Sequence, residues 1–384
     1  MVPKGWTLLQ VSDICKLQNG NSFKPHEWDT QGLPIIRIQN LNGSDNYNYF
    51  SGVPQDKWLV EPGQLLFSWA GTKGVSFGPF IWNGPKGVLN QHIYKVFANE
   101  NVHGHWLYLA LLHITQKIEA QAHGFKSTLL HVQKKDIDNQ FVLTPPVAEQ
   151  KKIAQILSTW DNAISVTEKL LTNSQLQKKA LMQKLLTGKK RLLDERGVRY
   201  GGEWHRAELG AVLDYMQPTP YLVDSTDYND SYSIPVLTAG KSFILGYTNE
   251  EHGIYHAPLP AIIFDDFTTD SKFVDFEFKA KSSAMKILTA KKGVSAKYIF
   301  EAMQMLKFKI GGYQRHWISI YSNLVIPIPD AKEQQKIASA LSTADAEIST
   351  LEKKLACLKE EKKALMQQLL TGKRRVKMDE AVAA

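Results

Sequence analysis

Residues 149–191 and 333–375 are two copies of one segment, and no other feature of this 384-residue chain limits its fold as strongly. The copies align without a gap at an offset of 184 and are identical at 26 of 43 positions. Neither contains proline, and glycine appears only near the end, at Gly188 and Gly372. Prolines precede both, at Pro145-Pro146 and at Pro329, and basic residues close both, which suits the negative end of a helix dipole. Each copy therefore reads as one helix of about 40 residues, roughly 60 Å long.

The apolar residues of both copies recur in alternating steps of three and four. In the first they are Ile153, Leu157, Trp160, Ile164, Leu171, Leu181 and Leu185; in the second Ile337, Leu341, Ala344, Ile348, Leu351, Leu355, Leu358, Leu365 and Leu369. Thr167, Ser174 and Lys178 weaken the first register, and Lys362 interrupts the second. This is a coiled-coil seam, and two such helices in one chain can pair with each other. A two-fold relation between the repeats makes the pair antiparallel. Packing of each seam on its own neighbouring domain is the competing account.

Before each helix lies a non-helical stretch of about 140 residues in which landmarks recur in the same order. Each opens with a tryptophan and an amphipathic run, at Trp6 with Leu9–Ile14 and at Trp204 with Leu209–Leu213. Short strand signals follow at Leu33–Ile38 and Ser233–Thr238, then apolar strands running into polar loops at Gln64–Thr72 and Ala261–Thr269. Glycine-aromatic-polar segments come last, at Gly124–Thr128 and Gly312–His316. Helices are expected over 104–120 and 295–308. The class is α+β, used twice. The expected boundaries are a first globular domain at 1–146, a long helix at 147–190, a second globular domain at 191–329, a second long helix at 330–375 and a flexible tail at 376–384.

Catalytic chemistry has little to build on. Ala239-Gly240-Lys241-Ser242 resembles the end of a phosphate-binding loop, but Pro235 stands where its first glycine belongs. Thr144-Pro145-Pro146-Val147 lacks the asparagine and aromatic of an amino-methyltransferase motif and reads as a helix entry. His103-Gly104-His105 has metal-ligand spacing without a partner cluster. Asp265, Asp266 and Asp270 form an acidic group that suits a solvated turn, a magnesium site or a carboxylate accepting from cytosine. No metal or cofactor is expected on this chain. Cys15 and Cys357 are too far apart in character to suggest a disulfide framework, no apolar run reaches membrane-spanning length, and the first residues lack a signal-peptide core, so a soluble cytoplasmic protein is expected.

The net charge of +8 points to a polyanionic partner such as DNA. Its location matters more than its size. Segments 147–191 and 331–375 carry +6 and +4, which leaves about −2 for everything else. The polar residues of the shared loops are the candidates for base and phosphate contact: Arg37, Gln39 and Asn40, with Thr238 and Lys241 in the matching place; Lys73, with Thr268, Thr269 and Lys272; and Lys126 and Ser127, with Gln314 and Arg315. Arginine on guanine and asparagine or glutamine on adenine are the favoured major-groove pairs, while lysine, serine and threonine more often hold phosphates. Readers this close to neutral should bind DNA weakly by themselves.

One further pattern is family-specific. Pro-x-x-x-Glu-Gln-x-Lys-Ile-Ala occurs at Pro145, Glu149, Gln150, Lys152, Ile153, Ala154 and again at Pro329, Glu333, Gln334, Lys336, Ile337, Ala338, and both helices end Leu-Leu-Thr-Gly-Lys, at 185–189 and 369–373. In this respect, and in its order of domains, the whole chain resembles the DNA-specificity subunits of Type I restriction-modification enzymes. The resemblance implies two target-recognition domains reading the halves of a split, asymmetric DNA sequence, and an antiparallel helix pair with pseudo-two-fold symmetry that sets the gap between them. It implies a non-catalytic chain with double-stranded DNA, two methyltransferase subunits and restriction motor-nuclease subunits as partners. S-adenosylmethionine, ATP and Mg²⁺ would sit on those partners. A stand-alone repressor or an anti-restriction decoy on the same scaffold, and a coiled-coil scaffold without DNA function, are the alternatives.

Overall fold

The computed structural model describes residues 2–121, 129–238, 240, 242–306 and 316–377. By contacts the chain divides into two units, Met1–Thr167 with Lys354–Ala384, and Glu168–Lys353. The long helices, Val147–Leu185 and Ala331–Leu370, each contribute to both units.

In the first unit a four-stranded antiparallel sheet runs in the order Cys15–Asn19, Ile93–Ala98, Leu65–Ser68, Gly78–Ile81. Phe67 and Tyr94 come opposite one another in its centre and are buried. The helix Gly104–Gln121 packs against it through Trp106, Leu107, Ala110 and Ile114. A second sheet runs Asn48–Phe50, Leu33–Ile36, Gly87–Leu89, Leu59–Val60, and its central pair is parallel. A two-stranded ribbon, Thr7–Gln10 with Phe141–Thr144, leads into the first long helix.

The second unit repeats the plan. Leu213–Met216, Met285–Ala290, Ala261–Asp265 and Ser271–Val274 form the four-stranded sheet in the corresponding order. The smaller sheet again has a parallel pair, Ile234–Leu237 beside Lys279–Ala280. Ala296–Gln304 is its covering helix, and His205–Glu208 with Val325–Ile328 is its entry ribbon. Both covering helices were expected from sequence; the second stops four residues short of its expected end.

Within each unit the start of one long helix lies antiparallel to the end of the other. In the first unit Asp161 meets Lys362 and Glu149 meets Arg375; in the second Asp345 meets Lys178 and Glu333 meets Arg191. Partner numbers fall as residue numbers rise. The outer seam residues are also core residues of the globular parts: Ile153, Leu157 and Leu369 join the first core, and Leu185, Ile337 and Leu341 the second. Trp160, Ile164, Leu355, Leu358 and Leu365 are half-buried in the first unit, and Leu171, Leu181, Ile348 and Leu351 in the second. The seam therefore does both jobs that the sequence offered as alternatives. Its ends anchor the globular parts, and further in, polar side chains join helix to helix at Asp161–Lys362, Lys178–Asp345 and Ser174–Glu347.

Candidate nucleic-acid interface and its helix clamp

The duplicated Glu-Gln pair fastens each globular part to the helices. Glu149 is 4 % exposed. It accepts from Trp6 Nε1 at 2.9 Å and from Arg375 Nε and a terminal guanidinium nitrogen, both at 2.8 Å. The Arg375 guanidinium lies 5.5 Å over the Trp6 ring and donates to the Lys4 carbonyl at 2.9 Å. Glu333 repeats the arrangement with Trp204 at 3.0 Å and Arg191 at 2.6 Å, and Arg191 lies 5.3 Å over Trp204. The chain reaches these arginines through Gly188 and Gly372, whose φ angles of +72° and +66° turn it sharply at each helix end. Hydrogen bonding to the carboxylates raises the pKa of both arginines.

The neighbouring glutamines act on the other side. Gln150 Nε2 donates to the Pro145 carbonyl at 2.9 Å, and its Oε1 accepts from His103 N at 2.8 Å, just before the covering helix. Gln334 repeats this with Pro329 at 2.8 Å and Ser295 N at 2.9 Å. The proline, glutamate and glutamine of the repeated pattern are thus parts of one buried junction.

Lys178 and Lys362 interrupt the apolar register but are partnered. Lys362 meets Asp161 at 2.5 Å. Lys178 meets Asp345 at 2.5 Å and Glu301 at 3.2 Å, and Lys297 completes that network with Glu301 at 2.7 Å and Asp345 at 2.8 Å. Burial acts to raise the Asp345 pKa, but hydrogen bonds from both lysines outweigh it and hold the carboxyl below its usual range.

Outside this shared frame, the loop side chains differ between units. In the first, Arg37 leaves the strand Leu33–Ile36 with its guanidinium 5.3 Å over Trp28. Asn40 is buried: it accepts from Arg37 N at 2.9 Å and donates to the carbonyls of Ser44 and Asn46 at 2.8 and 3.1 Å. Gln39 donates to the Asn46 carbonyl at 2.9 Å. Both amides thus brace their own loop. Lys73 lies just beyond the strand Ala70–Thr72, and Lys126 and Ser127 lie outside the described residues. Burial, and secondarily His131, lowers the His92 pKa.

In the second unit Thr238 accepts from Gly240 N at 3.1 Å and donates to the Ser242 carbonyl at 2.8 Å, which closes its loop. Thr268 accepts from Asp270 N at 3.4 Å, and Thr269 has φ +64°. Lys272 is exposed on the strand Ser271–Val274. Lys241, Gln314 and Arg315 lie outside the described residues. The solvated turn expected at Asp265 and Asp266 is instead interior: they are 7 % and 1 % exposed. Asp265 accepts from Phe267 N at 2.8 Å and Asp266 from Trp317 N at 2.8 Å, so both tie down backbone. Sequence reading missed this because the partner of Asp266 is Trp317, some fifty residues away.

Two possible metal groups are otherwise engaged. His103 Nδ1 accepts from Trp106 N at 3.4 Å, and His105 stacks on Tyr108 with ring centres 5.8 Å apart. Asp224, Glu250 and His252 offer ligand atoms within 4.8 Å of one another. There Asp224 pairs with His252 at 2.8 Å and Glu250 with the fully buried Lys279 at 2.5 Å.

A family model described as Type I restriction modification DNA specificity domain matches residues 3–174 and again residues 202–360. The chain is 54 % identical over 139 residues to the Type I restriction enzyme EcoR124I/EcoR124II specificity subunit of Escherichia coli, covering 35 % of this chain and 34 % of that one. It therefore spans about a third of that relative's length. It is 26 % identical over 419 residues to the putative type I restriction enzyme MjaX specificity subunit of Methanocaldococcus jannaschii, covering 98 % of this chain and 95 % of the relative. Among solved structures, the S subunit of a Type I restriction-modification system from M. genitalium matches with a TM-score of 0.64 at 15 % identity, over 98 % of this chain and 97 % of that one.

Proposed function

Because the chain belongs to the Type I restriction-modification DNA-specificity family, we propose that it is the DNA reader and assembly frame of such an enzyme. Each unit contributes one recognition domain, and the two together read a bipartite, asymmetric duplex target. The long helices set the separation of the half-sites and seat two methyltransferase subunits, which supply S-adenosylmethionine chemistry; restriction motor-nuclease subunits join with ATP and Mg²⁺. The chain itself carries no catalytic centre, and it works in the cytoplasm. No described helix is long and apolar enough to cross a membrane.

One observation carries this reading. The same junction of tryptophan, glutamate, arginine and glutamine is built twice, in units whose exposed loops bear different side chains. A frame repeated while its loops diverge suits two readers of different sequences held by one adaptor. The location of the charge adds to it: with the excess on the helices, much of the phosphate grip must come from partner subunits.

The test is co-expression of the full chain with its methyltransferase partner in a host lacking other DNA methylation, followed by methylation mapping across the genome. A split motif with two specified halves and an unspecified gap is expected, and no methylation from the chain alone. Methylation by the purified chain without a partner, or a continuous motif, would overturn the reading.

A further inference from the structure

At one corner of the first unit, buried polar atoms without partners coincide with a strained backbone. Arg37 Nε, Asn90 Oδ1 and His92 Nδ1 have no hydrogen-bond partner among the described residues. His92 also holds φ +75°, a left-handed conformation uncommon outside glycine. Unpaired buried polar groups and left-handed non-glycine residues both oppose folding, so their clustering marks a place kept for something other than stability.

Backbone pairing brings these residues together. Ile36 and Leu89 are partners in the parallel pair, and Asn90 N donates to the Ile36 carbonyl at 3.0 Å, which sets Asn90 beside Arg37. His92 follows two residues later, and its carbonyl accepts from Trp69 N at 3.1 Å. Trp69, His92 and His131 form a three-ring cluster, with both imidazoles 4.7 Å from the Trp69 ring centre and 5.8 Å from each other. Its Nε1 donates to Asn19 Oδ1 at 3.3 Å. Planar donors and acceptors on neighbouring strand ends thus adjoin an aromatic cluster.

The second unit has the same backbone corner with other side chains. Lys281 N donates to the Leu237 carbonyl at 2.9 Å, as Asn90 N does to Ile36, and Asp266 N donates to the Ala284 carbonyl at 3.3 Å, as Trp69 N does to His92. Thr238, Lys281, Ala284 and Asp266 therefore occupy the places of Arg37, Asn90, His92 and Trp69. All four differ, whereas the clamp residues in the same units match.

We propose that Arg37, Asn90 and His92, beside Trp69 and His131, are the residues with which the first recognition domain reads base edges, Arg37 and Asn90 each taking a purine. This rests on the reading of the chain as a duplex-DNA reader. Arginine matches the two acceptors of guanine, and the asparagine amide matches the donor and acceptor of adenine. Binding would draw these side chains out and give the unpaired atoms partners.

The experiment compares Arg37→Ala, Asn90→Ala and His92→Gly in the full chain with its methyltransferase partner, by methylation mapping and by competition between oligonucleotides carrying the mapped site. His92→Gly removes the ring while glycine accepts the left-handed backbone freely, so that variant folds. We expect discrimination to fall about tenfold or more at one or two positions in one half of the site, with the other half unchanged. A folded variant that methylates nothing and no longer prefers the mapped site over one with that half scrambled gives the same support. Wild-type discrimination in all three variants, or loss in both halves, overturns the proposal. A wild-type complex that methylates no split motif defeats the functional reading instead.

Discussion

Glu149 and Arg375, 226 positions apart in sequence, meet in a two-pronged ion pair with both contacts at 2.8 Å. The pair joins the first turn of one long helix to the segment just after the other, inside a single unit, and Trp6 closes its third side. Glu149 is buried while Arg375 is partly solvated, so it is loss of the arginine that costs more than the pair contributes, because it strands the interior carboxylate. Arg375→Ala should lower unfolding stability by about 2–4 kcal/mol, read by denaturant titration. Arg191→Ala should do the same in the second unit. Arg375→Lys should recover less than half, since lysine lacks the planar fork. A cost below about 0.5 kcal/mol for Arg375→Ala would place the pair among ordinary surface bridges.

Asp161–Lys362 and Asp345–Lys178 are the same contact in the two repeats. Single reversals, Asp161→Lys or Lys362→Asp, should each destabilise the protein, and the double reversal should recover most of the loss. The coupling should be about 0.5–1 kcal/mol, because one side of the pair is partly solvated. Additive effects across the cycle would show that the contact does not form in solution.

His113 lies on the covering helix of the first unit, facing an apolar groove lined by Leu8, Phe141 and Leu370. Neither ring nitrogen has a partner among the described residues. Burial, with Lys117 second, pushes its pKa down to about 4. The unfolded chain takes up a proton near pH 6.5 that the folded chain refuses until about pH 4, so stability is intact above 6.5 and declines as pH falls toward 4. His113→Met, which copies Met305 in the corresponding groove of the second unit, should flatten this part of the stability profile. The difference should be about 1–2 kcal/mol after discounting for solvent. An unchanged profile would rule His113 out as its source.

Among the lysines of the long helices, Lys151, Lys178, Lys179, Lys362 and Lys363 are candidates for partner contact, and the fold separates them into two groups. Lys178 and Lys362 are ion-paired within their units, whereas Lys151, Lys179 and Lys363 are exposed. Charge reversal at Lys178 or Lys362 should lower the melting temperature by a few degrees. Combined reversal at the exposed three should leave it within about 2 °C and weaken capture of the proposed methyltransferase partner severalfold. Equal capture by the triple variant and the parent would move partner binding off these three lysines.

Much of the architecture was legible because it is periodic. The 184-residue offset, the three-four spacing from Ile153 to Leu185 and from Ile337 to Leu369, and the glycines at 188 and 372 are local signals that need no tertiary contact. The recurring Trp6 and Trp204 were visible as landmarks, but not as the lids of buried glutamates. Among the candidate readers, Gln39 and Asn40 have the right chemistry for adenine, yet their amides brace the loop they sit on. Asn90, His92 and Trp69 carried no local signal, since what distinguishes them is an unpaired atom, a left-handed φ and a ring contact.

The helices, their shared register, the α+β class and the family can be read from the chain without any tertiary contact. These follow from repetition and from side-chain patterns read along one element. Folding in three dimensions was needed to show that each unit borrows the end of the other repeat's helix, that Lys178 and Lys362 lie in ion pairs, and that Asp265 and Asp266 are interior. Each of these depends on a residue more than fifty positions distant: Arg375 for Glu149, Asp345 for Lys178, Trp317 for Asp266. The partner that satisfies a buried charge is chosen by the fold, because desolvation penalises every arrangement in which the charge goes unpaired.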